Sequence, residues 1–257
     1  MSLPVLRQPR RFHPRVSKSL PIMEQYPVHS LRYGGIDGQV NFGDVLNMGV
    51  SDFSILLWVN IGDTGVRTPL AKRFDLAAGS RGYVTGISYV TAGKLYFDMS
   101  DGVDRWSMWG NAALTPFRWY HISFIVDRDD ALNSYIRLNA YDDTLNRVGT
   151  ITDVGNIDTA EPFRLGTRGS LNLWYKGLQW GVQLYTRTVS QPEIEHNMRN
   201  PMNPVKNGLA LWLPMIEGQG LTLGDHSPLA NNGTLSGGVA WMNLAKYEIQ
   251  SLSRNLN

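Results

Sequence analysis

From about residue 30 onward, short apolar stretches recur at intervals of roughly 8–15 residues, and Gly, Asp or Asn interrupts the chain between them. Runs this short, rich in aromatic and β-branched side chains, suit strands better than helices, which need about ten or more residues. The pattern predicts strands over Phe53–Val59, Arg81–Tyr89, Lys94–Met99, Trp119–Val126, Asn133–Ala140, Phe163–Gly166, Leu178–Tyr185 and Leu209–Leu213. Several alternate with period two, as expected where one strand face is buried and the other is wet. Many such strands with turns between them predict an all-β, antiparallel two-sheet sandwich. Helical signal is confined to one stretch. Ser190 suits an N-cap, Pro192 the first turn and Glu193 a capping box, which predicts a helix of barely two turns ending before Asn203-Pro204. No repeat at a fixed period points to a solenoid or propeller.

A chain of 257 residues is long enough to bury a full core. It contains no Cys, which excludes disulfides, thiolate catalysis and Cys-ligated metal sites. Charge is uneven along it. Residues 1–32 carry Arg7, Arg10, Arg11, Arg15, Lys18 and Arg32 against Glu24 alone, together with prolines at 4, 9, 14, 21 and 27. The whole chain has 24 bases and 22 acids, so the rest is mildly acidic. Prolines at that spacing preclude a helix or a central strand. Residues 1–30 are therefore expected to be an extended basic arm, a tail or a reach onto a neighbouring subunit, with 31–240 as the sandwich and 241–257 as a C-terminal tail. In that tail Leu244, Tyr247, Ile249 and Leu252 are spaced for a short helix or a clipped strand. Nucleic acid is disfavoured as the arm's partner, since Phe12 is the one Phe, Trp or Tyr set between its basic residues Arg7 and Lys18. No apolar run approaches the roughly 20 residues of a membrane span, and the start lacks a secretory h-region. The expectation is no membrane insertion, and a protein that stays where it is made or leaves without a cleaved signal.

Several stretches resemble a known family in order along the chain. They are Leu31–Val40, Phe53–Val59, Phe117–Ser123, Tyr135–Ala140, Phe163–Gly166 and Leu184–Ile194, the last with Tyr185-Thr186-Arg187 ahead of Glu193-Ile194. Together they resemble the laminin G-like, pentraxin-like branch of the concanavalin A-like lectin/glucanase superfamily. A second signature runs from Gly208-Leu209 and Trp212 through Glu217-Gly218-Gln219-Gly220, Asp225-His226-Ser227 and Asn231 to Leu235. It is similar to a segment that accompanies these modules in predicted phage virion proteins. The resemblance implies a jelly-roll sandwich, and lectin, hydrolase, adhesion or structural roles. Calcium-binding relatives use loop carboxylates, and two of those turns differ here, reading Tyr33-Gly34-Gly35 and Leu138-Asn139-Ala140.

Glycoside hydrolysis needs two carboxylates across the scissile bond, which an E-x-D-x-E strand supplies on one face. That motif is missing. Glu193 and Glu195 fall on the predicted helix, where residues two apart diverge. Asp127 with Asp129, and Asp142 with Asp143, follow strands as turn residues. His121, in a strand beside Trp119, reads as a core histidine. No zinc, P-loop, dinucleotide or nucleophile-elbow motif is present. The expectation is a protein without catalysis.

A sugar-binding surface needs flat aromatic area rimmed by polar groups. The best candidate is Asp101–Asn111. If it is extended, Trp106 and Met108 face one way while Arg105, Ser107 and Trp109 face the other. Arg105, Trp106 and Trp109, with Trp174 and Tyr175 as a weaker pair, are the candidate ligand residues. Trp58, Trp119, Trp180 and Trp212 fit core positions. Asp98, Asp101 and Asp104 are the candidate calcium ligands, although calcium takes about six to eight oxygens. Asp225 is expected to hold a turn through backbone N–H groups. Three functions follow. The first is a structural, assembly or attachment protein on a phage virion surface, joined to neighbouring subunits by Arg7, Arg10, Arg11, Arg15 and Lys18. The second is a lectin-like module binding a surface glycan, and the third a glycoside hydrolase or lyase.

Overall fold

The computed structural model describes residues 29–169 and 173–244. The strands are β1 (His29–Gly34), β2 (Gln39–Asn41), β3 (Phe53–Ile61), β4 (Arg67–Lys72), β5 (Arg81–Ile87), β6 (Lys94–Asp101), β7 (Arg105–Ala113), β8 (Trp119–Val126) and β9 (Tyr135–Leu138). They continue with β10 (Tyr141–Asp142), β11 (Leu145–Val148), β12 (Arg164–Leu165), β13 (Lys176–Tyr185), β14 (Leu209–Leu213), β15 (Thr222–Leu223), β16 (Gly233–Ser236) and β17 (Ala240–Asn243). One α-helix of the described residues, α1 (Gln191–Arg199), follows β13.

The strands form the expected two-sheet sandwich. The first sheet runs β10-β9-β8-β3-β13-β1-β17, with β14 also paired to β13. The second runs β11-β7-β6-β5-β4-β12-β2-β16-β15. Every ladder between named strands is antiparallel, so alternate residues face the interior. The shared core gathers Phe53, Ile55, Leu57 and Trp58 of β3, Phe97 and Met99 of β6, Trp106 and Met108 of β7, and Trp180 and Leu184 of β13. Phe97 touches Phe53, Trp106 and Phe124, which links the two sheets through aromatic contacts.

Helix α1 starts where the sequence places it. Ser190 and Glu193 form the capping box, and the Glu193 carboxylate also takes a bidentate bond from Arg187 at 2.6 and 3.0 Å. Arg187 holds the Glu193 carboxyl down to about 2. Ile194 and Met198 turn inward to join the core.

The ends of the sandwich differ from the expected boundaries. Its first strand opens at His29, two residues ahead of the arm boundary at 30/31, because His29 to Arg32 pair with Asn243 to Ala240. Residues 241–243, assigned by sequence to the tail, therefore form part of the last strand. The Trp241 indole fixes that edge by donating to the Gly220 carbonyl at 2.9 Å. Arg7, Arg10, Arg11, Arg15 and Lys18 lie outside the described residues, as does the chain after Leu244.

Two strands are shorter than predicted for a common reason. The run at 133–140 narrows to Tyr135–Leu138, because residues 131–133 form a single 3-10 turn and Asn139 and Ala140 adopt positive φ. The run at 81–89 stops at Ile87, because Ser88 turns the chain at φ 64. Ser88 anchors that turn by donating its hydroxyl to the Thr64 carbonyl at 2.8 Å. Tyr89 is thereby lifted out of the strand. Trp58 and Trp180 are buried as expected, whereas Trp119 and Trp212 sit at the core margin and are only partly covered.

Candidate functional site

Alternation in β6 and β7 divides their side chains between two surfaces. Leu95, Phe97 and Met99 enter the core with Trp106 and Met108. Tyr96, Asp98, Arg105, Ser107 and Trp109 project from the opposite, outer face. The hairpin register sets Asp98 across from Ser107 and Tyr96 across from Trp109. Continuing across the sheet, Asp98 pairs with Val84 and Val84 with Ala71. Directly paired residues share a face, so Ala71 and Val84 are the floor beside Asp98. Both are fully buried yet lie apart from the main apolar cluster. A second layer of side chains covers them.

Asp98 organises that layer. Its carboxylate, fully buried, accepts from Arg73 Nη1, from Arg105 Nε at 2.5 Å and from the Tyr96 hydroxyl at 2.8 Å. Arg105 Nη2 closes the ring by donating to the Tyr96 oxygen at 2.8 Å. Burial pushes the Asp98 carboxyl up, opposed by the two guanidiniums, and burial pushes the Arg73 guanidinium down. Desolvation, reinforced by the Asp98 charge, pushes the Tyr96 phenol up to about 12. Arg73 is 1% exposed and Arg105 side-chain exposure is 42%, so one cation is sealed and the other meets solvent.

The turn at Ser88 brings Tyr89 back over the sheet. Only glycine fits beneath it, since a Cβ at Gly86 would come within 2.4 Å of the Tyr89 ring. Tyr89 stacks on Tyr96 with centroids 5.1 Å apart and planes 6° from parallel, and its hydroxyl meets Thr68 Oγ1 at 2.7 Å. The Arg168 guanidinium lies over the Tyr89 ring at 5.3 Å. Gly169 packs against Phe74, where a Cβ would stand 2.5 Å from the ring, so the Arg168 and Arg73 segments adjoin. Beyond Phe74 a groove of about 430 Å³ opens, lined also by Asp75, Arg81, Thr159 and Glu161. Arg105 Nη1 reaches the Leu76 carbonyl on its rim at 3.4 Å.

The residues selected from sequence part company here. Arg105 is exposed and Trp109 half-buried, and both lie on this outer face. Trp174 is half-buried and forms a bridge with Thr68, the partner of Tyr89. Trp106 and Tyr175 do not belong to the surface. Both have no exposure, Trp106 on the core face of β7 and Tyr175 with its hydroxyl donating to the Asn60 and Leu178 carbonyls.

The three candidate calcium ligands do not come together. Asp98 is held by arginines, which repel a cation. Asp101 is occupied by the backbone N–H groups of Val103, Asp104 and Gly155 at 2.6–2.8 Å. Asp104 is exposed, and among the described residues no three carboxylates or histidines converge to hold a metal. Arg73, Tyr89, Tyr96 and Arg168 escaped the sequence reading. Period-two alternation could have paired Tyr96 with Asp98, but the others arrive only through tertiary contacts.

Residues 34–195 match the family Laminin_G_3, described as the concanavalin A-like lectin/glucanases superfamily. The chain belongs to that superfamily. Among solved structures, one similar to this member is a putative carbohydrate binding protein from Bacteroides ovatus, at 16% identity and a TM-score of 0.63. The match covers 85% of this chain and 60% of that one, so this chain spans under two thirds of that relative. Another is the native heptameric SAP-like pentraxin from Limulus polyphemus, at 8% identity and a TM-score of 0.54, covering 84% and 94%. Among curated proteins none matches the chain.

The acids considered for glucanase chemistry have other partners in this member of the superfamily. Glu193 is bound to Arg187 on α1, and Glu195 takes the Gln191 side chain at 3.0 Å. Asp127 accepts the N–H groups of Asp129 and Asp130 as a turn residue. Asp142 pairs with Arg137, and Asp143 accepts the Ala112 N–H at 3.0 Å. Asp225 holds its turn through the Trp212, Ser227 and Asn231 N–H groups. His121 is buried against Trp58, and desolvation drives it down to about 3.

Proposed function

We propose that this protein is a carbohydrate-binding, lectin-like module that works without catalysis, and that the outer face of its second sheet holds the sugar. The observation that carries this reading is Trp109, half-buried on the outer face that also carries Arg105, Tyr96, Asp98 and Tyr89. An indole supplies apolar area to the C–H face of a pyranose, and a partly free guanidinium supplies donors to its hydroxyls. Asp98 and Tyr96 fix Arg105 before a ligand arrives, which lowers the entropy cost of recognition. The likeness to a putative carbohydrate binding protein supports the reading.

Screening the full chain against a glycan panel, followed by calorimetry on the best ligand, tests it. Trp109→Ala is expected to weaken binding at least tenfold with the fold intact, and unchanged affinity would refute the site.

The assembly role, the virion setting and the neighbouring-subunit partners form a separate proposal resting on the basic residues of the first 28 positions. Its test is native mass with and without residues 1–28. Identical assembly in the two forms would remove it.

A further inference from the structure

On the carbohydrate-binding reading of this face, we infer that its ligand is an acidic saccharide whose carboxylate or sulfate oxygen is taken by Arg168. Among the described residues no acid pairs with the buried Arg168 side chain. The residue is 4% exposed, and its Nε and Nη1 donors are buried without a hydrogen-bond partner. The contact it does make is with the Tyr89 ring, which accepts charge but leaves in-plane donors unused.

The surroundings add to the imbalance. Arg73, Arg105 and Arg168 join one layer, and the acid that bonds there, Asp98, is already shared by the first two. Arg73 also keeps a buried, unpartnered Nε. Leaving a buried donor unpaired is costly, and leaving a buried charge unpaired is costlier. An oxyanion supplied from outside removes that cost, and a guanidinium matches a carboxylate or sulfate through two parallel N–H bonds. Gly169, the residue after Arg168, packs against Phe74, which lines the 430 Å³ groove. Neutral sugars would use Trp109 and Arg105 and leave Arg168 unsatisfied.

Calorimetry on the full chain decides the matter, with four probes: a uronate-containing oligosaccharide, its carboxyl-reduced neutral counterpart, a sulfated counterpart and inorganic sulfate. The acidic sugars should bind at least tenfold tighter than the neutral one, and Arg168→Gln should erase that preference while neutral binding persists. Preference for the uronate or for the sulfated sugar identifies which oxyanion is recognised. Equal affinity for neutral and acidic sugars, still lost in Trp109→Ala, would overturn the Arg168 assignment and keep the carbohydrate reading. Sulfate binding that depends on Arg168 without any sugar binding would sink the carbohydrate reading, and with it the acidic-saccharide inference. No binding by any probe would overturn both. A stability readout separates a ligand anchor from a structural arginine. Arg168→Met should leave Tm unchanged or raised, since it removes an uncompensated buried charge. A large drop in Tm would show that Arg168 holds the fold, and would refute the inference.

Discussion

His121 should make this protein lose stability on mild acidification. The side chain is 1% exposed, lies edge-on to Trp58 at 5.2 Å and has an unpartnered Nδ1. Desolvation lowers its pKa from 6.5 to about 3. The unfolded chain thus takes up a proton below pH 6.5 that the folded chain refuses until about pH 3. Its contribution to stability is fully present above 6.5 and is lost as pH falls from there toward 3. One proton corresponds to a slope of about 1.4 kcal/mol per pH unit, so the loss at pH 5 is about 2 kcal/mol relative to pH 8. For a chain of this size that lowers Tm by about 4–8 °C. The assay is urea unfolding from pH 8 to 5 for the protein and for His121→Phe, which preserves an aromatic contact with Trp58. Subtracting the two curves cancels every other titrating group. A difference that stays flat between pH 8 and 5 would refute a buried, neutral imidazole.

Three further outcomes are expected. Asp98→Asn strands the sealed Arg73 guanidinium beside Arg105 and should cost about 3–5 kcal/mol in urea unfolding, whereas Arg105→Ala, half in solvent, should cost about 1 kcal/mol or less; similar losses from both would contradict the arrangement. Trp106→Ala should lower stability by about 3–5 kcal/mol, while Trp109→Ala should change it by less than half as much; equal destabilisation would place both indoles in the core. Glu193→Gln removes the Arg187 pair and weakens the α1 cap, for a loss of about 1–2 kcal/mol at pH 7. The lowered carboxyl gives that contribution above pH 4.5 and loses it as pH falls toward about 2, so a mutational difference that persists unchanged at pH 2 would count against it.

Local chemistry explains which parts could be read from the chain alone. The strand over Trp119–Val126 and the helix start at Ser190 follow from alternation and a capping box, and the structure places them there. The division of Trp106 from Trp109 follows from the same alternation, which decides that they differ but leaves open which faces the core. Strand β4 was not visible, because Pro69 interrupts it and a register shift between Arg67 and Leu70 accommodates the ring. Tyr89 read as the end of a strand until the positive φ at Ser88 turned it over Gly86.

Side-chain alternation, turn residues and caps act over a few neighbouring positions, so a cysteine-free sandwich of short antiparallel strands is legible along the chain. Tertiary packing alone makes Asp98 serve two arginines, and buries Arg168 over Tyr89 with no acid paired to it among the described residues. Those facts depend on segments 25 to 79 residues apart meeting on one sheet face, as with Arg73 and Asp98 or Tyr89 and Arg168. Burial and charge balance are properties of that meeting and have no signature within any one segment.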